Sequence, residues 1–160
     1  MFEWIWKIKN CESAVTIIFL KFKRFYLNMR TAIGAAIIDD GKILLVRKKQ
    51  SWIFPGGKPE SNESDIECLC REVGEELSGT QLDKIRYYGN FEGRTPHTRD
   101  ILRVRVNFAD IKGELFKPAA EIGAYAWAKD PNKYNLSDIT SKIIDSLTID
   151  GYLSCPNDWT

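Results

Sequence analysis

The sequence predicts one domain of the α/β class, and three observations carry that reading. Short apolar runs of strand character recur through most of the chain. Two amphipathic helices, one early and one late, are each announced by a capping residue. The chain is 160 residues long with 44% hydrophobic and 28% charged residues, enough for one ordinary core. The net charge of +1 gives no bulk electrostatic pull toward nucleic acid or a membrane, so there is no DNA-binding signal. Of the four cysteines, Cys11, Cys68, Cys70 and Cys155, none makes a CxxC pair, and with a single histidine a zinc site is not expected. Reduced thiols and a cytoplasmic setting follow.

Residues 1–28 form an N-terminal extension that mixes aromatics and lysines with an apolar run from Ala14 to Leu20. That run is far shorter than the roughly 20 residues that span a bilayer, so no transmembrane segment is predicted. Lys21, Lys23 and Arg24 follow it directly, and no small-residue cleavage site appears. Two readings stand: an over-extended reading frame with Met29 as the natural start, or a basic aromatic arm. The domain proper is read as 29–153, and 154–160 as a loose tail.

Thr31 to Asp39 reads as a strand, and Asp39-Asp40-Gly41-Lys42 as the turn that leads into a second strand, Ile43 to Val46. Arg47, Lys48 and Lys49 close it. Arg47 and Lys48 are candidate contacts to substrate phosphates, because the chain then runs into a glycine loop. Trp52-Ile53-Phe54 is a short strand ended by Pro55; Trp52 or Phe54 is placed to stack on a base, although core packing is the commoner role.

Gly56 to Gly79 is the stretch that carries chemistry. Ser64-Asp65-Ile66-Glu67 has the capping-box pattern. Ile66, Leu69, Cys70, Val73 and Leu77 then recur at helical spacing as an apolar stripe. Glu72, Glu75 and Glu76 share a neighbouring arc, since residues three and four apart are neighbours on a helix. Crowded carboxylates repel unless hard cations sit among them, and Mg²⁺ takes oxygen ligands together with substrate phosphates. Arg71 and Glu63 are placed to pair and fix the loop to the helix, and Gly56-Gly57 permits close backbone approach.

Beyond the helix, Leu82 to Phe91 and Ile101 to Phe108 read as strands, the second as half-buried with Arg103, Arg105 and Asn107 on a wet face. The polar loop from Glu92 to Asp100 offers Arg94, His97 and Arg99 as specificity contacts. Lys112-Gly113-Glu114 reads as a turn, and Ala124 to Ala128 as the last strand. Ser137-Asp138 caps a final helix with Ile139, Ile143, Ile144 and Leu147 on its apolar face.

The stretch from Gly57 resembles the Nudix box, the signature of the Nudix hydrolase superfamily: glycine, five residues, glutamate, seven residues, then R-E-U-x-E-E-x-G-U with U aliphatic. Gly57, Glu63, Arg71, Glu72, Val73, Glu75 and Glu76 match. Ser78 stands where the pattern has glycine, and Gly79 where it has an aliphatic residue; Gly79 is placed to supply the left-handed exit instead.

The resemblance implies an α/β/α sandwich with a mixed β-sheet and a MutT-like hydrolase that cleaves the diphosphate of a nucleoside triphosphate. Alternatives are nucleotide sugars, dinucleoside polyphosphates or capped RNA ends, and a non-enzymatic nucleotide sensor. It implies Mg²⁺, with Mn²⁺ as a substitute, held by Glu72, Glu76, Glu75 and the Gly56 carbonyl. The general base is Glu75 or Glu121, the latter in an acidic-aliphatic pair ahead of the Trp127 strand. Arg71, counted with the catalytic set, holds the site together with Gly57 and Glu63. Arg47, Lys48, Phe54, Lys58 and Arg94 are expected on the substrate. The partner is a small nucleotide, and the oligomeric state stays open, a homodimer among the options.

Overall fold

The computed structural model describes residues 30–94, 101–113 and 117–154. Eight strands and two helices follow one another: β1 (Arg30–Ala36), β2 (Ile38–Asp39), β3 (Lys42–Lys48), β4 (Ser51–Ile53), β5 (Gly56–Gly57), α1 (Asp65–Glu76), β6 (Gln81–Arg94), β7 (Ile101–Lys112), β8 (Ile122–Ala128) and α2 (Asp138–Ile149). A 3₁₀ turn, Pro131–Lys133, precedes α2. The strands form two four-stranded sheets, one ordered β5-β1-β7-β6, the other β2-β3-β4 with β8 on the free side of β3.

The run expected as one strand from Thr31 to Asp39 is two. It breaks at Ile37, leaving β1 in one sheet and β2 in the other. Both halves are apolar, and apolar content does not reveal which sheet a strand joins. The turn that follows is a two-residue hairpin, Asp39 pairing with Lys42. Its central residues, Asp40 and Gly41, have φ of 48° and 67°. Two left-handed residues match the twist of a hairpin, and aspartate and glycine adopt them at least cost.

Side-chain alternation divides the interior into two cores and so defines the layers. Ile33, Ala35 and Ile37 pack with Leu44, Val46 and the α1 residues Cys68, Leu69, Val73 and Leu77. Ala36, Ile43 and Leu45 pack with Val104, Val106, Phe108 and the α2 residues Ile139, Ile143, Ile144 and Leu147. Successive residues of β1 and β3 thus feed opposite cores. The sheets are sandwiched between the two helices in an α/β/α arrangement, as expected. Each valine, leucine, isoleucine or phenylalanine among them, when fully buried, contributes about 1.5–3 kcal/mol.

The same geometry corrects two expectations. The expected wet face of β7 is wet only in part, since Arg103 and Arg105 keep partly exposed side chains and Asn107 does not. Asn107 is only 4% exposed, and Arg105 pairs with Asp65 at the start of α1, because α1 covers that face. Phe54 is 6% exposed and belongs to the α2-side core, so it is not presented to a ligand. Strands β6 and β7 also run further than expected, with Glu92 to Arg94 paired to Ile101 to Arg103. His97 and Arg99 lie outside the described residues.

Helix α1 has the expected cap. The Ser64 side chain accepts from Glu67 N, and the Glu67 carboxylate accepts from Ser64 N at 2.8 Å. Its buried stripe is Cys68, Leu69, Val73 and Leu77, not one that includes Ile66 or Cys70. Ile66 is 54% exposed and Cys70 faces out. At the other end Gly79 N donates to Gly74 O at 2.6 Å. Ser78 lies between, with φ of 48°. This is the six-to-one closure of a Schellman motif, and Ser78 itself occupies its left-handed position. Gly79, with φ of 87°, merely continues the exit. Helix α2 is capped as expected: the Ser137 hydroxyl accepts from Thr140 N.

Candidate active site

Two glycines bring three pieces of chain together. At Gly56, φ is +130° and an added Cβ would lie 2.2 Å from the Ile33 carbonyl, so only glycine lets β5 press against β1. At Gly57 an added Cβ would lie 2.2–2.4 Å from the Glu72 carboxylate. Strand β5 is therefore held between β1 and the acidic arc of α1. The Gly56 N–H points the same way and donates to Glu76 Oε2 at 2.9 Å.

The loop between β5 and α1 is clamped by one ion pair. Arg71 Nε donates to Glu63 Oε1 at 2.8 Å and Arg71 Nη2 to Glu63 Oε2 at 2.9 Å, a two-pronged arrangement suited to guanidinium and carboxylate. The same Nη2 also donates to Lys58 O at 3.2 Å. The Glu60 N–H donates to Glu63 Oε2 at 2.8 Å. The Arg71 guanidinium, with help from that N–H, lowers the Glu63 carboxyl to about 2. Arg71 Nη1 then reaches Glu72 Oε1 at 3.0 Å and Glu75 Oε1 at 3.8 Å. The Arg71–Glu63 pair thus links the loop to α1.

The last turn of α1 is electrostatically unfavourable as it stands. It carries Glu75 and Glu76 and no base, at the helix end whose dipole disfavours anions. Glu76 is 4% exposed. Burial pushes its carboxyl up to about 7, against the pull of the Gly56 N–H and the Lys48 charge, while Glu72 and Glu121 push it up further.

Glu121 arrives from the loop before β8. Ala119 N donates to Glu76 O at 2.8 Å, tying that loop to the end of α1. Its 60% exposed carboxylate pairs with Lys48 Nζ at the end of β3. Of the expected substrate contacts, Lys48 is thus paired with Glu121, and Lys58 lines an open cavity with Arg71 and Glu72. Lys58 is exposed on the clamped loop. Arg47 follows Leu45 on the α2 side of its sheet and lies over the Trp52 ring, 5.9 Å from its centroid. Arg94 ends β6, where its N–H donates to Asp138 Oδ2 at 3.2 Å. Phe54 is in the core. The Lys48–Glu121 pair and the Ala119–Glu76 tie went unseen in the sequence, since both join segments far apart in the chain with no local spacing to announce them.

Among the described residues, no three acidic, histidine or cysteine side chains converge on one point as they stand. Each carboxylate is engaged by the protein: Glu76 by Gly56 N–H, Glu72 by Arg71, Glu121 by Lys48. The donor set nonetheless fits a hard divalent cation. It is all oxygen, it sits on a helix end that lacks a base, and the glycine strand leaves its space open.

The chain matches the family model described as NUDIX domain over residues 28–132. An m7GpppN-mRNA hydrolase of Saccharomyces cerevisiae (strain S288c) is 40% identical over 86 residues, which is 51% of this chain and 8% of that protein. The chain therefore spans a small part of the curated relatives it matches. Among solved structures, the MutT NUDIX hydrolase from Burkholderia pseudomallei superposes with a TM-score of 0.67 at 26% identity, covering 76% of this chain and 99% of that one. A UDP-X diphosphatase superposes with a TM-score of 0.65 at 27% identity, covering 78% and 64%.

Proposed function

We propose, since the chain belongs to the NUDIX domain family, that its substrate is a nucleoside triphosphate, hydrolysed in the manner of a MutT-like pyrophosphohydrolase. Members of this family are pyrophosphohydrolases that use divalent metal, so the reaction class follows from membership. The observation that carries the site is the seating of Glu72 and Glu76 against Gly56-Gly57, with Glu121 brought alongside by the tie to Glu76 O. Glu72 and Glu76 are the metal ligands in this reading, with Glu75 and the Gly56 carbonyl completing the set around Mg²⁺ or Mn²⁺. When bound, such a cation neutralises phosphate oxygens and lowers the pKa of the attacking water. Arg71 and Glu63 keep the loop in register with the helix.

The base is Glu75 or Glu121. Both are exposed at the acidic end of α1, Glu75 near Arg71 and Glu121 beside Lys48. Glu75→Gln and Glu121→Gln separate the two: the variant that loses turnover even at saturating metal identifies the base. A nucleoside triphosphate is favoured by the match over nearly the whole length of the Burkholderia MutT hydrolase. A capped RNA end is the second reading, favoured by the yeast m7GpppN-mRNA hydrolase match. A non-enzymatic sensor is disfavoured because Glu72, Glu75 and Glu76 are all present.

Among the described residues, no helix is long and apolar enough to cross a membrane. A cytoplasmic setting accords with Cys68 and Cys70 standing as free thiols. The catalytic unit in this reading is 29–153, with 1–28 dispensable for turnover. The test is a Mg²⁺- and Mn²⁺-dependent screen over nucleoside triphosphates, nucleotide sugars, dinucleoside polyphosphates and capped RNA. Preferred turnover of a triphosphate to the monophosphate is expected. Preferred release of a capped nucleotide from RNA would replace the first reading by the second, and no turnover of any of them would return weight to the sensor.

A further inference from the structure

The acidic end of α1 already faces a cation, and it belongs to the protein. Lys48, Arg47 and Lys49 are adjacent in sequence but go to different places. Arg47 lies over Trp52. Lys49 sits in the turn after β3, with φ of 57°. Lys48 alone reaches the carboxylates. The pairing of β3 with β8 explains why: Arg47 faces Ala124 and Lys48 faces Ile122, so the register slips by one residue between them. An irregularity of this kind re-aims a side chain. Here it delivers the Lys48 ammonium to Glu121, on the residue just before its paired partner.

We propose that Lys48 is an exchangeable counter-ion, which pairs with Glu121 in the metal-free protein and is released when a divalent cation binds at the neighbouring carboxylates of α1. It rests on the metal site of the hydrolase reading. Lysine suits the role because its charge rides on a flexible four-carbon stem and is not locked into a two-pronged pair, as Arg71 is with Glu63. Both partners are partly exposed, so the pair is weak enough to yield. Without it, the Glu121 carboxylate would lose its ion pair beside the acidic end of α1. Once displaced from Glu121, the ammonium remains beside the site where the charge of a diphosphate arrives.

The test is Mn²⁺ binding by titration calorimetry on the full chain, for wild type, Lys48→Met and Lys48→Arg. Lys48→Met is expected to bind Mn²⁺ about 3- to 10-fold more tightly, because a competing charge is gone. Lys48→Arg is expected to bind Mn²⁺ no more tightly than wild type, as it keeps the charge and can pair more firmly with Glu121. Side-chain NMR of wild type follows the same event without a variant, so it decides the matter should Lys48→Met not fold. The Lys48 Cε signal is expected to shift on adding Mg²⁺, with the midpoint of metal binding. Unchanged or weaker Mn²⁺ affinity in Lys48→Met, or a Lys48 signal indifferent to Mg²⁺, overturns the role of Lys48 and leaves the metal site standing. A wild-type protein that binds no Mn²⁺ overturns both.

Discussion

Gly57 and the Glu72 carboxylate compete for one space: a Cβ on residue 57 would lie 2.2 Å from the carboxyl carbon of Glu72. The glycine at this point of the box is thus required by a side chain of the protein as well as by any ligand. Gly57→Ala should push Glu72 out of line while the helix and its core contacts persist. Displacing a catalytic group by about 1 Å costs on the order of 100-fold in rate. A loss of that size in kcat/KM is expected, with the circular dichroism spectrum unchanged. Near-normal turnover would mean that Glu72 is not a metal ligand.

Glu76 sets stability against function. Its carboxylate is nearly buried and, among the described residues, accepts a hydrogen bond from Gly56 N. A buried charge without a neutralising partner is costly. Glu76→Gln keeps an acceptor for that N–H and removes the charge. In EDTA the variant is expected to melt at or a few degrees above wild type, since about 1 kcal/mol is worth roughly 2–4 °C at this size. Turnover should fall by more than the roughly 10- to 100-fold that loss of a mere outer partner of a metal ligand costs. Thermal melts without metal and steady-state rates with Mg²⁺ measure the two halves. A variant that melts far lower would show that the carboxylate is structural.

The Glu63–Arg71 clamp should survive strong acid. Glu63 is lowered from 4.5 to about 2, chiefly by the Arg71 guanidinium. A depressed carboxyl contributes stability that is fully present above its unfolded value and lost as pH falls through the folded one. The window is therefore about pH 4.5 down to 2, and at neutral pH the clamp does not change. An NMR titration of the Glu63 carboxyl carbon is expected to show a midpoint near 2 in wild type. In Arg71→Gln it should return toward 4.5. An ordinary midpoint in wild type would contradict the two-pronged pair.

What was legible in the sequence was local. The two helix caps and the stripe of α2 follow from helical geometry over a few residues, and the structure has them. The stripe of α1 was misread at its start because Ile66 is apolar but lies one step off the buried arc, where Cys68 takes its place. Phe54, Asn107 and the break at Ile37 escaped because each depends on which sheet or helix covers a strand. The Lys48–Glu121 pair depends on the register of β3 against β8, which no window of sequence contains. The site thus has two parts: a box written out in order, and a rim assembled by strand pairing.

The departure of the box at its end makes a prediction about stability alone. Ser78 holds the left-handed position of the Schellman motif, where the family pattern has glycine. A residue with a Cβ gives up about 1 kcal/mol there, because left-handed backbone brings the Cβ toward the following carbonyl. Ser78 is exposed, and its side chain has no role in the closure, which runs through the main chain of Gly79 and Gly74. Ser78→Gly is therefore expected to raise stability by about 0.5–1 kcal/mol, even after the added freedom of the unfolded chain is counted. At this size that is a rise of roughly 1–4 °C in Tm. Turnover should not change, since Leu77 and Thr80 anchor the exit on either side, the Thr80 hydroxyl donating to Leu77 O at 2.7 Å. A lower Tm for Ser78→Gly would mean that the serine hydroxyl contributes something the closure does not require.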